Sequence, residues 1–270
     1  GSAKRHQDPE WQRFFKGVLR AYMDYQGSVV FPADGPFPKS FDFPIIYGNS
    51  ATYVMDLRSN RRAGENGRIF SEVQASKLVD FFRNHKDIPV LFLVLSVPVI
   101  HLPRSFARIA ARLFPEQEDF SDRWSSGSHI RDRDRLLKIV YEHKKANPRQ
   151  KIVILSGDIH IGCIHRLRFG ENEIFQVISS AVTHNCNLFV QTGSKLLIRT
   201  NREFTTQDNT LSGIVRLMQS QGPNKNPFGG LNTGIIEIST SLSKGQPFLR
   251  FYLYSHKGNE PLCVFRSREV

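Results

Sequence analysis

Asp158 and His160 stand one residue apart in the stretch covering residues 151–164, KIVILSGDIHIGCI. In an extended segment, side chains at i and i+2 project to the same side. One carboxylate oxygen and one imidazole nitrogen suit zinc, iron or manganese. Two donors do not finish a site, because four ligands are the norm. The plainer reading is a pair that caps a loop or bonds to itself. Gly157, just before the pair, lets the backbone turn or approach a neighbour closely. Cys163 lies three residues past His160 and is a third candidate ligand, although a buried structural thiol is the commoner fate of such a cysteine. Elsewhere, Asp56, Arg58 and Arg61 sit in the run MDLRSNR. Arginine forks match phosphate oxygens, and an ion pair within that run is the alternative use. His101 follows an apolar segment and is placed to reach the same site, although a lone loop histidine is more commonly a surface residue; His184, in the polar run SSAVTHN, is a candidate ligand or phosphate contact.

The elements that must position these residues read as follows. Asp8-Pro9-Glu10 is a helix start, and Trp11, Phe14, Phe15, Val18, Leu19, Tyr22 and Met23 form one apolar stripe up to Gly27. That spacing predicts a core-facing helix. Prolines break residues 31–44 into a loop. Residues 45–48 and 52–57 read as strands of a hairpin through Gly48-Asn49-Ser50. Ser71 and Gln74 form a capping box for a helix to about residue 84. Residues 89–97 are an apolar strand, 105–114 a short helix, and 130–145 a longer one with Leu136, Leu137, Val140 and Tyr141 inward. Residues 152–156 are apolar on both faces, as a central strand requires. Strand, helix, strand, helix, strand is the α/β crossover pattern with a largely parallel core. Ligands in such sheets bind beyond the carboxyl ends of the strands, where Asp56, His101, Asp158 and His160 would lie. Past residue 163 a hairpin, 165–169 with 174–178, changes the pattern. Residues 200–232 are polar and predict a long mobile loop or lid. Residues 234–239, 248–255 and 262–265 read as antiparallel strands.

Composition bounds the partners. The chain has 270 residues, 40% of them apolar and 21 of them Phe, which supports a sizeable core. Its net charge of +12 favours anionic partners, namely phosphate esters, nucleic acid or an anionic lipid surface, with solubility as the alternative use of the charge. Three cysteines without a CxxC pair indicate no zinc ribbon, and a reducing compartment, the cytoplasm, is the default. No apolar run reaches the roughly 18 residues of a membrane span. Gly1-Ser2 reads as a scar of tag cleavage, so the natural N-terminus is expected to be absent.

Several of these runs, in order, resemble the alkaline phosphatase D (PhoD-like) group of calcineurin-type metallophosphoesterases. They are AYMDYQ at 21–26, MDLRSNR at 55–61, EVQ at 72–74, SVP at 96–98, Trp124 with RLL at 135–137, SGDIH at 156–160 and SSAVT at 179–183. The resemblance covers about residues 10–240 and takes residues 3–270 as the carboxyl-terminal portion of one such domain. It implies a mixed α/β sheet with flanking helices, one half of a four-layer αββα sandwich. It also implies metal-dependent hydrolysis of phosphate mono- or diesters by a metal-bound hydroxide, using zinc, manganese, iron or calcium. Asp158 and His160 align with the last ligand pair, His160 and His184 are the candidate proton donors, and Asp56, Arg58 and Arg61 are phosphate or framework contacts. The family's other ligands precede this segment, so the chain alone is expected to be weak or inactive. An amino-terminal half, a partner chain or a second copy is expected to cover an apolar sheet face. The alternative is a catalytically silent module on the same fold that holds nucleic acid or phospholipid headgroups.

Overall fold

The computed structural model describes residues 8–32, 35–62, 67–100, 124, 127, 129–180, 202–240, 247–255 and 258–267. His101, His184 and the expected helix at 105–114 lie outside the described residues.

Eight strands form one mixed sheet: β1 (Phe43–Tyr47), β2 (Ser50–Val54), β3 (Val90–Val94), β4 (Lys151–Ser156), β5 (Cys163–Phe169), β6 (Asn172–Ile178), β7 (Arg202–Thr205) and β8 (Ser212–Leu217). Their spatial order is β1-β2-β3-β4-β6-β5-β8-β7. β2, β3, β4 and β6 pair in parallel, and the outer strands pair antiparallel. This is the α/β class that the sequence predicts. β3 and β4 take the centre because their Val, Leu and Ile side chains alternate between two covered faces. β1 carries Pro44, which an edge strand tolerates because one side needs no ladder donor.

Helices α1 (Pro9–Tyr25), α2 (Glu72–Asn84) and α3 (Ile130–Ala146) accompany the sheet. α2 opens on the expected capping box: the Gln74 backbone N–H donates to Ser71 Oγ at 3.3 Å, and Ser71 N–H donates to Gln74 Oε1 at 2.9 Å. Leu78, Phe81 and Phe82 of α2 pack with Leu136, Leu137 and Val140 of α3 onto Ala51, Tyr53, Leu91, Leu93, Ile152 and Ile154. On the other face lies a second, antiparallel sheet of β9 (Asn232–Thr240), β10 (Pro247–Ser255) and β11 (Pro261–Arg266), ordered β11-β10-β9. Its Leu249, Phe251, Leu253, Cys263 and Phe265 close over Val90, Val153, Phe175 and Val177. Burying a side chain of that size contributes roughly 1.5–3 kcal/mol, so this sheet is an integral layer. The stack is therefore helix, sheet, sheet. Among the described residues no helical layer lies outside β9–β11. No helix among the described residues is long and apolar enough to cross a membrane.

Three expectations need correction. Residues 200–232 are not a loop throughout, since they contain β7 and β8. β7 is an edge strand of Arg202-Glu203-Phe204-Thr205, and an edge needs little apolar character, which hides it from composition. The α1 stripe is not core: no residue of α1 is buried, and Trp11 and Phe14 are 42% and 62% exposed. The second sheet face is not left bare either, because β9–β11 cover the part over β4, β5 and β6.

Candidate functional site

The carboxyl ends of the four parallel strands meet along one rim. Ladder bonds continue past the strands, with Met55 N–H donating to Val94 O at 3.0 Å, Leu95 N–H to Leu155 O at 2.8 Å, and Ser179 N–H to Ser156 O at 3.1 Å. The rim therefore carries Asp56, Ser96, the segment 157–162 and Ser179-Ser180.

Segment 157–162 does not run extended, which removes the premise that Asp158 and His160 share a side by strand alternation. Asp158 has φ 70° and His160 φ 55°, both in the left-handed region. The chain must reverse here, because β4 hands over to β5 across the end of β6, which lies between them. Ile159 N–H donates to Gly157 O at 2.9 Å, a tight turn. Ile159 and Ile161 anchor the segment among Cys163 and Ile178. Asp158 is exposed and His160 half-buried, so solvent reaches both. Gly157 is not the turning residue. A Cβ there would meet Ser179 O at 3.5 Å, ordinary contact, whereas one on Gly162 would meet Asn232 Oδ1 at 2.9 Å and Leu253 Cδ1 at 3.0 Å.

Sequence reasoning missed what holds this segment. Asn232 is 2% exposed. Its amide donates to Ser180 O at 2.7 Å and Gly230 O at 2.8 Å, and its Oδ1 accepts from Ser180 N–H and Ser179 Oγ, each at 3.3 Å. Ser180 Oγ in turn accepts from His160 N–H at 3.2 Å. Asn226 does the same for β5: its amide donates to Ile164 O at 2.7 Å and Met218 O at 3.0 Å. A lone asparagine in a polar stretch has no periodic signal, so neither was visible in advance.

Asp56 is enclosed in framework bonds. Its Oδ1 accepts from Arg58 N–H and Ser59 N–H, both at 2.9 Å, and its Oδ2 accepts from Phe41 N–H at 3.0 Å and from Ser59 Oγ. Its own N–H donates to Asp42 Oδ1 at 2.8 Å, and Gln74 Nε2 donates to Asp42 Oδ1 and to Asp56 O, at 2.8 and 2.6 Å. Of the two readings given to this run, the Asp56 geometry is that of a framework. Arg61 is half-buried. Arg58 is exposed, and its guanidinium has no partner among the described residues.

Cys163 is fully buried, its Sγ 3.6 Å from the His165 ring nitrogens. Burial pushes its thiol well above the usual range. Burial, with Arg202 adding to it, pushes His165 down to about 3, so this imidazole stays neutral. Cys163 thus belongs to the core, packed beneath the rim segment with Ile159, Ile161 and Ile178.

Beside the segment a cleft of about 400 Å³ opens between the two sheets, lined by Phe92, Leu155, Ile236 and Gly234 together with Thr52, Ser156 and Ser179. Ser156 Oγ is buried and has no hydrogen-bond partner among the described residues. Asp158 and His160 offer one oxygen and one nitrogen, but among the described residues no group of three or more His, Cys, Asp or Glu side chains is placed to hold a metal ion. Comparison of the sequence with protein-family models and with curated proteins finds no match.

Proposed function

We propose that segment 157–162 is one part of a metal-dependent site for hydrolysing phosphate mono- or diesters, with Asp158 and His160 as ligands. The observation that carries this reading is the pair of left-handed residues at Asp158 and His160. Such residues cost of order 1–3 kcal/mol each and persist where the surroundings impose them, often at functional sites. The pair also lies at the carboxyl end of a central strand, where sheets of this kind bind ligands. The donor chemistry suits zinc, manganese or iron, and a bound ion polarises a phosphoryl oxygen and raises the acidity of water.

The chain's own residues supply the rest. Arg58, exposed and without an ion pair among the described residues, offers a positive charge to phosphate. His160, within reach of solvent, serves as ligand or gives a proton to the leaving oxygen. His184, outside the described residues, is the other candidate donor. The cleft lined by Phe92 and Ile236 leaves room for the organic part of the ester. Two protein ligands leave such a site open. The missing ones come, on this reading, from an amino-terminal segment, a partner chain or a second copy. The free thiols Cys163 and Cys263 support a reducing compartment, by default the cytoplasm.

The test is manganese titration of metal-stripped protein by calorimetry, together with hydrolysis of bis(p-nitrophenyl) phosphate. Weak binding and slow or no turnover are expected, with binding lost in Asp158→Ala and His160→Ala. Binding unchanged in both variants removes the assignment.

The strongly positive net charge supports a second reading. On it, the chain is a silent module that uses its +12 charge to hold nucleic acid or anionic headgroups. Affinity for DNA or anionic vesicles that needs no metal and falls steeply with salt selects that reading.

A further inference from the structure

Helix α1 roofs an apolar hollow without filling it. The hollow, of about 280 Å³, lies between α1 and the β1–β2 hairpin. Val18, Leu19 and Tyr22 form the roof, and Phe43 and Val54, paired across the hairpin, form the floor. A helix with seven apolar positions in one stripe normally buries several of them, yet α1 buries none. The wall is polar at one place, the strand end, where Arg58, Ser59 and Ser96 line it. Asp56 lines it as well, but each of its oxygens already accepts two hydrogen bonds. Arg58 is the exposed cation there, with no ion pair or hydrogen bond to its guanidinium among the described residues.

We infer that this hollow is a binding site for one single-chain anionic amphiphile, its alkyl chain under α1 and its anionic head on Arg58. Apolar walls with few polar groups are the usual make-up of a ligand site, and the volume is near the lower end of the roughly 300–1,000 Å³ such sites span. One short chain fits it. Charge sets the sign of the head: the free group is a guanidinium, so a carboxylate or phosphate head gains there and an ammonium head loses. The site lies beneath α1 and needs neither metal nor hydrolysis. It shares Arg58 with the phosphate contact of the proposed function, but alkyl-chain uptake is read without metal, so its failure and the failure of the Asp158–His160 site are distinguishable.

The test titrates decanoate, decanol and decyltrimethylammonium, each below its micelle concentration, into the full chain by calorimetry. Decanoate is expected to bind saturably with one site per chain. An exposed charge contact is worth about 1 kcal/mol, which makes decanoate about fivefold tighter than decanol, with the ammonium weakest. Arg58→Ala should bring decanoate to the level of decanol and leave decanol unchanged. Val54→Phe, which fills the floor, should weaken both. Val18→Trp, on the partly exposed roof where folding is not at risk, should do the same. Equal affinity for decanoate and decanol in the unaltered chain, no change in Arg58→Ala, unchanged binding in both filling variants, or uptake that never saturates would each overturn the site.

Discussion

Asp56 lines two uses up against each other, and its hydrogen bonds decide which comes first. Four donors converge on one carboxylate, from Phe41, Arg58 and Ser59. Asp56→Ala leaves three backbone N–H groups unpaired at a partly buried place, and an unsatisfied group costs about 1–3 kcal/mol. Urea unfolding should therefore show Asp56→Ala less stable by about 2–4 kcal/mol. Arg58→Ala, at an exposed side chain with no guanidinium partner among the described residues, should stay within about 0.5 kcal/mol. Equal stability of the two variants would assign Asp56 to ligand contact and not to the framework. His165 gives a second handle at this scale. Its folded value is pushed down to about 3, first by burial and then by Arg202. An unfolded imidazole titrates near ~6.5, so below that pH the unfolded chain takes a proton that the folded one refuses. Stability is then full above about pH 6.5 and falls as pH drops towards 3, by a few kcal/mol in all. Unfolding curves between pH 7 and pH 4 should show that slope, and His165→Gln should flatten it.

Among the elements, β9–β11 carry the most weight that was not foreseen. The three strands were legible as strands, because Phe248 to Ser255 and Leu262 to Phe265 alternate apolar and polar residues. That they turn their apolar side onto Val90, Val153, Phe175 and Val177 was not legible, since alternation tells that a strand has a buried face and not which surface buries it. The parallel core and the capping box of α2 were readable because Ser71, Gln74 and the Val-rich runs obey local rules. β7 was not, being a polar edge, and neither was the exposure of α1, whose stripe has the same spacing as a core helix. At the site, Asp158 and His160 were found by residue type. Their left-handed backbone and the Asn232 clamp depend on contacts across 52 residues of sequence, which no local pattern records. Phe251 tests the layer as a whole. It is 1% exposed and meets Phe175 with ring centroids 5.3 Å apart. Phe251→Ala should cost about 3–5 kcal/mol, read by urea denaturation as one cooperative transition. A separate early transition, with the eight-stranded sheet unaffected, would show β9–β11 to be an independent unit.

At the scale of the molecule two forces oppose each other. A net charge of +12 keeps copies apart. Yet the surface exposes Trp11, Phe14 and Val18 on α1, Ile45 and Ile46 on β1, and Ile235 and Ile238 on β9. Lone apolar residues on a surface need no explanation, but the first three fall along one helix and the others lie in pairs on two strands. Salt separates the two forces, because it screens charge and leaves apolar attraction in place. The Debye length shrinks from about 10 Å at 0.1 M to about 3 Å at 1 M, shorter than the spacing of charges across an interface. The chain should therefore scatter light as a monomer at low ionic strength and gain mass as sodium chloride rises towards about 0.5 M. Phe14→Ser together with Ile235→Ser should suppress the gain, since the first residue is 62% exposed and the second 50%, leaving the fold untouched. Association that weakens with salt would mean that charge pairs, and not these apolar faces, join the copies. A constant monomer at every salt concentration would mean that the faces are too small or too scattered to hold a second copy, and that a partner of different shape is needed to cover them.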